Sequence, residues 1–284
     1  MASSTSNVKL GVCQVFFDGI DLGYTKGGVE VEVSTETHEV VIDQFGKTAI
    51  NQLVTGREVK VKAPLAETTL ENMVRIMPGA TLTQVGGVKA SGTWTPGANP
   101  TNGQTVVIGG TTITLKTAGT AVNIKNECDL GANTAATLTN LVAMINASTD
   151  INLAKVTASA TATVLTVTFD LFGTEGNTYT LAVGTAGGTV SGATLAGGVE
   201  PTGKRVDVTA GVGSDLLSTA KELRLHPFGK AASDLSDDFI VWKANTGGGL
   251  QFAYKLDDER VFSVEFTGYA DSNGKVFSLG DPKI

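Results

Sequence analysis

Val29-Glu30-Val31-Glu32-Val33 alternates β-branched and acidic residues without a break. A period of two sets the valines on one face of an extended strand and the carboxylates on the other. Ser34 to Ile42 continues the pattern more loosely. Read as one strand, Val29 to Ile42 would span roughly 45 Å at about 3.3 Å per residue, more than twice a typical strand. A second run, Arg57-Glu58-Val59-Lys60-Val61-Lys62-Ala63, follows a segment from Asp43 to Gly56 that reads as a loop. The pair predicts an overlong two-stranded ribbon with one charged face. A lone ribbon of that kind is not stable in water, so it needs neighbours, and copies of the same chain are the expected source.

Phe45, Ile50, Leu53 and Val54 make the connecting loop unusually apolar. Two readings stand: the loop tucks over its own core, or it meets another subunit. Glu30 and Glu32 present a similar choice. They line a shared surface, or they face water and pair with Lys60 and Lys62.

The chain has 284 residues, enough for one large or two modest domains. With 35 Gly, 6% aromatic and 17% charged residues, its composition is β-leaning and turn-rich. A net charge of -7 argues against a basic nucleic-acid-binding surface. The two cysteines, Cys13 and Cys128, form no framework and are expected as free thiols. Met1 to Asn7 lacks the basic and apolar regions of a secretory signal, and no apolar run approaches the length of a membrane span. The expectation is a protein made and kept in a cytoplasm-like compartment, or released by a route that leaves no signal in the chain.

Leu10 to Phe17 predicts a strand, with Asp18-Gly19 as a turn. After Pro64, Leu70, Met73, Val74 and Met77 fall at the spacing of a helical apolar stripe, ended by Pro78-Gly79. This helix is expected to cover a sheet, and Thr81 to Trp94 reads as further strand. At Pro96 the character changes. Only nine charged residues fall between Pro96 and Glu200, less than half the density of the flanks. Within this segment, strands are predicted near Thr105–Ile108, Thr112–Lys116, Asn152–Ala158 and Val164–Phe169. A helix near Ala135–Ala147 carries Leu138, Leu141, Val142 and Ile145 on one face. Proline and glycine punctuate both ends, which predicts an inserted β-rich domain with one helix at 96–200, between halves of a discontinuous domain at 1–95 and 201–284. The expected fold class is mainly β. Beyond Gly203, strands are predicted at Glu222–Pro227, Phe239–Lys243, Gln251–Leu256 and Arg260–Thr267, the last two flanking an acidic turn at Asp257-Asp258-Glu259.

No catalytic, cofactor-binding or metal-binding set emerges. His38 and His226 lack cysteine or carboxylate company at metal spacing. Gly46-Lys47-Thr48 resembles the end of a phosphate loop, but Val41 stands where the first glycine is required. Adjacent acids in extended chain alternate direction, so Asp257-Asp258-Glu259 reads as a solvated turn. No nucleophile elbow is present. The expectation is a protein without enzymatic activity.

The ribbon, its apolar loop, the helix between Pro64 and Gly79 and the run Lys221-Glu222-Leu223-Arg224-Leu225-His226-Pro227 together resemble the major tail tube proteins of long, non-contractile-tailed bacteriophages. The resemblance covers about Val8 to Trp94 and Gly203 to Asp281. It implies a β-sandwich or barrel with a flanking α-helix, assembled into sixfold rings stacked into a tube, in which ribbons of neighbouring subunits complete an inner barrel that conducts DNA at infection. It also implies a virion location after assembly in the host cytoplasm, with a tape measure protein and DNA in the lumen, and tail terminator and tail-tip proteins as partners. The insert would correspond to the small, often immunoglobulin-like domains that decorate such tails. On this view Glu30 and Glu32 line the lumen, and Phe45, Ile50 and Leu53 make contacts between rings. The rival readings are a β-rich surface adhesin or carbohydrate-binding module, which would present clustered aromatics, and a hydrolase on a β scaffold.

Overall fold

The computed structural model describes residues 11–283 and is mainly β, 43% strand and 12% helix, with two α-helices and several antiparallel sheets. Leu10, where the first strand was expected to begin, and the Met1–Asn7 start lie outside the described residues. In chain order the first elements are β1 (Cys13–Phe17), β2 (Ile20–Asp21), β3 (Glu30–Val41), β4 (Ala49–Leu65), α1 (Leu70–Ile76), β5 (Ala80–Val85) and β6 (Lys89–Thr95). The middle of the chain adds β7 (Thr105–Ile108), β8 (Thr111–Lys116), β9 (Glu127–Asp129), α2 (Thr134–Asn146), β10 (Val156–Ala160), β11 (Leu165–Phe172), β12 (Leu181–Ala182) and β13 (Thr189–Val190). The chain finishes with β14 (Gly203–Val208), β15 (Lys221–Pro227), β16 (Phe239–Thr246), β17 (Phe262–Tyr269) and β18 (Phe277–Leu279).

Two compact units result. The first comprises the described residues up to Phe17, Leu22–Thr81 and Val208–Asp281; the second comprises Asp18–Asp21, Leu82–Asp207 and the described residues from Pro282. These divisions fall at Thr81/Leu82 and Asp207/Val208, whereas composition placed the change near 95/96 and 200/201. The reason is pairing: β6 lies antiparallel to β11 and β13, and Trp94 is buried with the side chains of the second unit.

In the first unit, one sheet runs β1-β15-β16-β17-β4-β3, with β18 against β16. Alternation along each strand sends Val15, Phe17, Leu223, Leu225, Val241, Val59, Val61, Ala63, Val264 and Phe266 into a single apolar cluster. Gly268 pairs with Val59 at the end of the β17–β4 ladder; a Cβ there would come within 2.8 Å of Val241 Cγ1 and 3.2 Å of Val59 Cβ. Helix α1 begins at Thr69, whose side chain accepts from Asn72 N at 3.1 Å, and Ile76 and Met73 pack on the cluster. The buried side is turned from the expected stripe of Leu70, Met73, Val74 and Met77, because Asn72 and Ile76 are the buried residues. Asn72 Nδ2 donates to Leu22 O at 2.8 Å and Glu67 O at 3.1 Å, so a polar residue anchors the inward face.

The second unit holds two four-stranded sheets, β10-β11-β6-β13 and β12-β7-β8-β9. Helix α2 is capped by Asn133, which accepts from Ala136 N, and buries Leu138, Leu141 and Ile145 with Trp94, Ile108, Ile113 and Phe169. The pair β8–β9 is parallel, a departure from the antiparallel sheets of an immunoglobulin sandwich. Residues 153–155, expected as strand, form a 3-10 turn before β10. Cys128 is buried on β9, and both cysteines are free.

Candidate functional site

The ribbon is longer than its sequence suggested. Residues 43–56 were expected as a loop, yet β4 starts at Ala49 and runs 17 residues, so only a short turn separates it from β3. That turn is a 3-10 helix at Asp43–Phe45, closed by Gly46 at φ 62° and ψ -129°, a conformation reserved for glycine. Asn51, Gln52 and Gly56 show no strand alternation, but pairing with β3 carries them into the ladder, with register shifts between Glu36/Thr37 and Val40/Val41 that step over Thr55 and Ile50. Ile50 and Leu53 therefore lie on a strand, and Phe45 at the turn.

Cross-strand partners share a face. At the base, Val59, Val61, Ala63 and Leu65 are buried against Phe262, Val264 and Phe266 of β17. Beyond Glu58 the ribbon leaves the core. All of β3 except Val40 is exposed on both of its faces. Val31 (42%), Val33 (41%), Phe45 (61%), Ile50 (50%), Leu53 (51%) and Val54 (57%) are open to solvent, so the loop does not tuck over its own core. β4 takes one edge of β3, and no strand among the described residues takes the other.

On the opposite face, Glu30 stands across from Lys62 and Glu32 across from Lys60. Lys62 Nζ is 3.9 Å from Glu30, while Lys60 Nζ turns to Glu58 at 3.1 Å. The hydrogen bond it donates to Glu58 holds the Lys60 ammonium above its ordinary pKa. Glu265 of β17 lies across from Lys62 on the same face. Glu30, Glu32, Glu58 and Glu265 thus outnumber Lys60 and Lys62, and the two lysines neutralise the face only in part. Glu30 and Glu32 sit at the base of the ribbon, roughly 40 Å of extended chain from Phe45 at its turn. The structure does not bring these two groups of candidates together.

Three clusters escaped the sequence reading. His226 has a carboxylate partner after all: its Nδ1 is 2.7 Å from Asp238 Oδ1, both side chains buried on the other side of the sheet. Arg224 Nε lies 3.8 Å from Asp238 Oδ2, and its guanidinium sits 5.0 Å from the centre of the Phe16 ring. The sole sequence signal was that Arg224 and His226 alternate with Leu223 and Leu225. Second, Asp258 and Glu259 converge on Lys26 Nζ although adjacent acids were expected to diverge, and the turn itself is exposed to solvent as expected. Third, Arg260 lies over the rings of Phe252, Tyr254 and Phe262 and donates from Nη2 to Thr68 Oγ1 at 2.7 Å.

Among the described residues, no three His, Cys, Asp or Glu side chains are grouped to hold a metal ion, and no helix is long and apolar enough to cross a membrane. The charged clusters are ion pairs and hydrogen-bonded networks, and the ribbon combines two exposed faces with an open edge. No family model matches the chain, and neither does any curated protein.

Proposed function

We propose that the chain is a structural subunit that self-associates through its ribbon into closed rings, stacked as the tail tube of a long, non-contractile-tailed bacteriophage and serving as a conduit for DNA. One observation carries this reading: β3 is exposed on both faces along nearly its whole length and has an open edge. Two-stranded ribbons are marginal by themselves, and an open strand edge is a template for pairing with another chain. Head-to-tail contact that closes covers every edge at once. Pooling strands from several copies also widens the enclosed barrel, since diameter grows with strand number.

In this reading the carboxylate-rich face lines the lumen and repels phosphate, the opposite of the counterion release that drives DNA binding. Phe45, Ile50 and Leu53 at the far end contact the next ring. The subunit's partners are then its own copies, a tape measure protein and DNA within the lumen, and terminator and tip proteins at the ends. The second unit decorates the outside, and the protein resides in the virion after assembly in the host cytoplasm. Electron microscopy and light scattering of the purified chain at increasing concentration test the proposal. Hollow rings or tubes are the expected result; a monomer at every concentration overturns it.

A further inference from the structure

Leu250 to Leu256 is incomplete in the same manner as the edge of β3. Leu250, Phe252, Tyr254 and Leu256 alternate with Gln251, Ala253 and Lys255, the pattern of a half-buried strand. The sequence predicts a strand here, yet the one ladder contact of this segment among the described residues is the isolated bridge between Gln251 and Ser263. β16 pairs with β17 only through Lys243–Thr246 against Phe266–Tyr269. Past the Gly247-Gly248-Gly249 bend, the segment takes up the vacated edge of β17 and then loses it. Phe252 still packs against Phe262, ring centroids 5.4 Å apart. Exposure then climbs from 45% at Phe252 to 81% at Tyr254 and 102% at Leu256.

We infer that Leu250–Leu256 is the acceptor for the open edge of β3 in a second copy of this chain, and that it becomes a full strand on association. The inference rests on the self-association proposed above and names the two edges that meet. Charge selects this pairing. β3 carries Glu30, Glu32, Glu36 and Glu39 and no lysine or arginine, whereas 250–256 carries Lys255 and no acid. Two β3 edges set against each other would oppose glutamates, and like charges across a ladder destabilise it. Placed beside 250–256, the same glutamates meet Lys255, whose present partner Asp258 is an exposed contact at 3.6 Å that is readily given up. Tyr254 and Leu256 gain Val31 and Val33 as apolar neighbours. The contact joins unlike edges, so each copy keeps one of each to offer, as a closing ring requires. Seven residues cover roughly 23 Å of strand, enough for the lower half of β3, and leave the turn at Phe45 free.

Hydrogen exchange read by mass spectrometry on the full chain, before and after assembly, tests this. Amides of 252–256 are expected to exchange freely in the subunit and to become protected in the assembled form, together with those of β3. Tyr254→Pro, which removes a ladder donor, is expected to melt with the wild-type subunit and form no rings. Lys255→Glu is expected to raise the concentration needed for assembly by roughly tenfold, about 1.4 kcal/mol, and Glu32→Lys in the same chain to restore it in part. Assembled particles whose 252–256 amides still exchange freely, or a Tyr254→Pro chain that assembles normally, would overturn the inference and leave the ring reading standing. A wild-type chain that never assembles removes the reading itself.

Discussion

Asp238 has no exposed surface, and its two oxygens face different partners, the imidazole of His226 and the guanidinium of Arg224. Burial pushes its carboxyl above the ordinary value, while His226 and Arg224 pull the other way, and burial prevails. A carboxyl raised in the folded state contributes stability in its neutral form. That contribution is complete below the unfolded pKa of about 4 and is lost as pH rises through the folded value. Asp238→Asn stays neutral throughout. Its stability relative to wild type is therefore expected to improve as pH climbs from about 4 through the raised value, and urea unfolding of both chains checks it. Parallel stability curves would refute the assignment. Truncating Asp238 to Ala is a different matter, since it strands Arg224 in the interior at a cost of about 3–5 kcal/mol. At the ribbon base, Glu30→Lys with Glu32→Lys inverts the balance of the charged face. Tubes of this variant, assembled at a concentration raised to offset the like charges that Lys255 would then meet, are expected to retain linear duplex DNA at low salt while wild-type tubes let it pass, measured by co-sedimentation. Equal retention would count against a lumenal position for that face.

Among the elements, the ribbon's two ends have separable roles. The base is tied to β17 through buried Val59, Val61 and Ala63, whereas Phe45, Ile50 and Leu53 contribute nothing to the core of their own subunit. Phe45→Ser, Ile50→Ser and Leu53→Ser together are expected to leave the melting temperature within error and to halt elongation, leaving single rings by electron microscopy. Normal tubes would reject the contact between rings. Helix α1 offers a contrasting case. It has only seven residues, too few to persist unaided, and relies on the Thr69 cap and on Asn72 holding the Leu22 carbonyl. Asn72→Ala leaves that buried acceptor unmet and is expected to cost about 1–3 kcal/mol in chemical denaturation.

For the molecule as a whole, the decisive feature is that each unit owns its core. Trp94, Leu138 and Phe169 belong to one apolar cluster; Phe17, Leu65 and Phe266 belong to another. The chain leaves and re-enters the first unit at neighbouring points, where Thr209 N donates to Gly79 O at 3.3 Å. Replacing residues 82–207 by a short Gly-Ser linker is therefore expected to give a chain that unfolds cooperatively and still assembles, because the proposed contacts lie outside the removed part. Loss of assembly with the fold intact would move the association surface to the second unit.

Local sequence determined whatever repeats within a few residues. Val29 to Val33 announced a strand, Leu138 to Ile145 a helix face, and the scarcity of charge a different kind of domain in the middle of the chain. Tertiary structure alone decided which groups met across distance. No short-range pattern marks Asn51 to Gly56 as strand; hydrogen bonding to β3 makes them so. His226 and Asp238 stand 12 residues apart and Lys26 and Asp258 stand 232 apart, and their encounters follow from sheet order, which no local period encodes. The converse holds at Leu250–Leu256, where the alternation is present and the ladder is not, because a strand needs hydrogen-bond partners as well as a pattern.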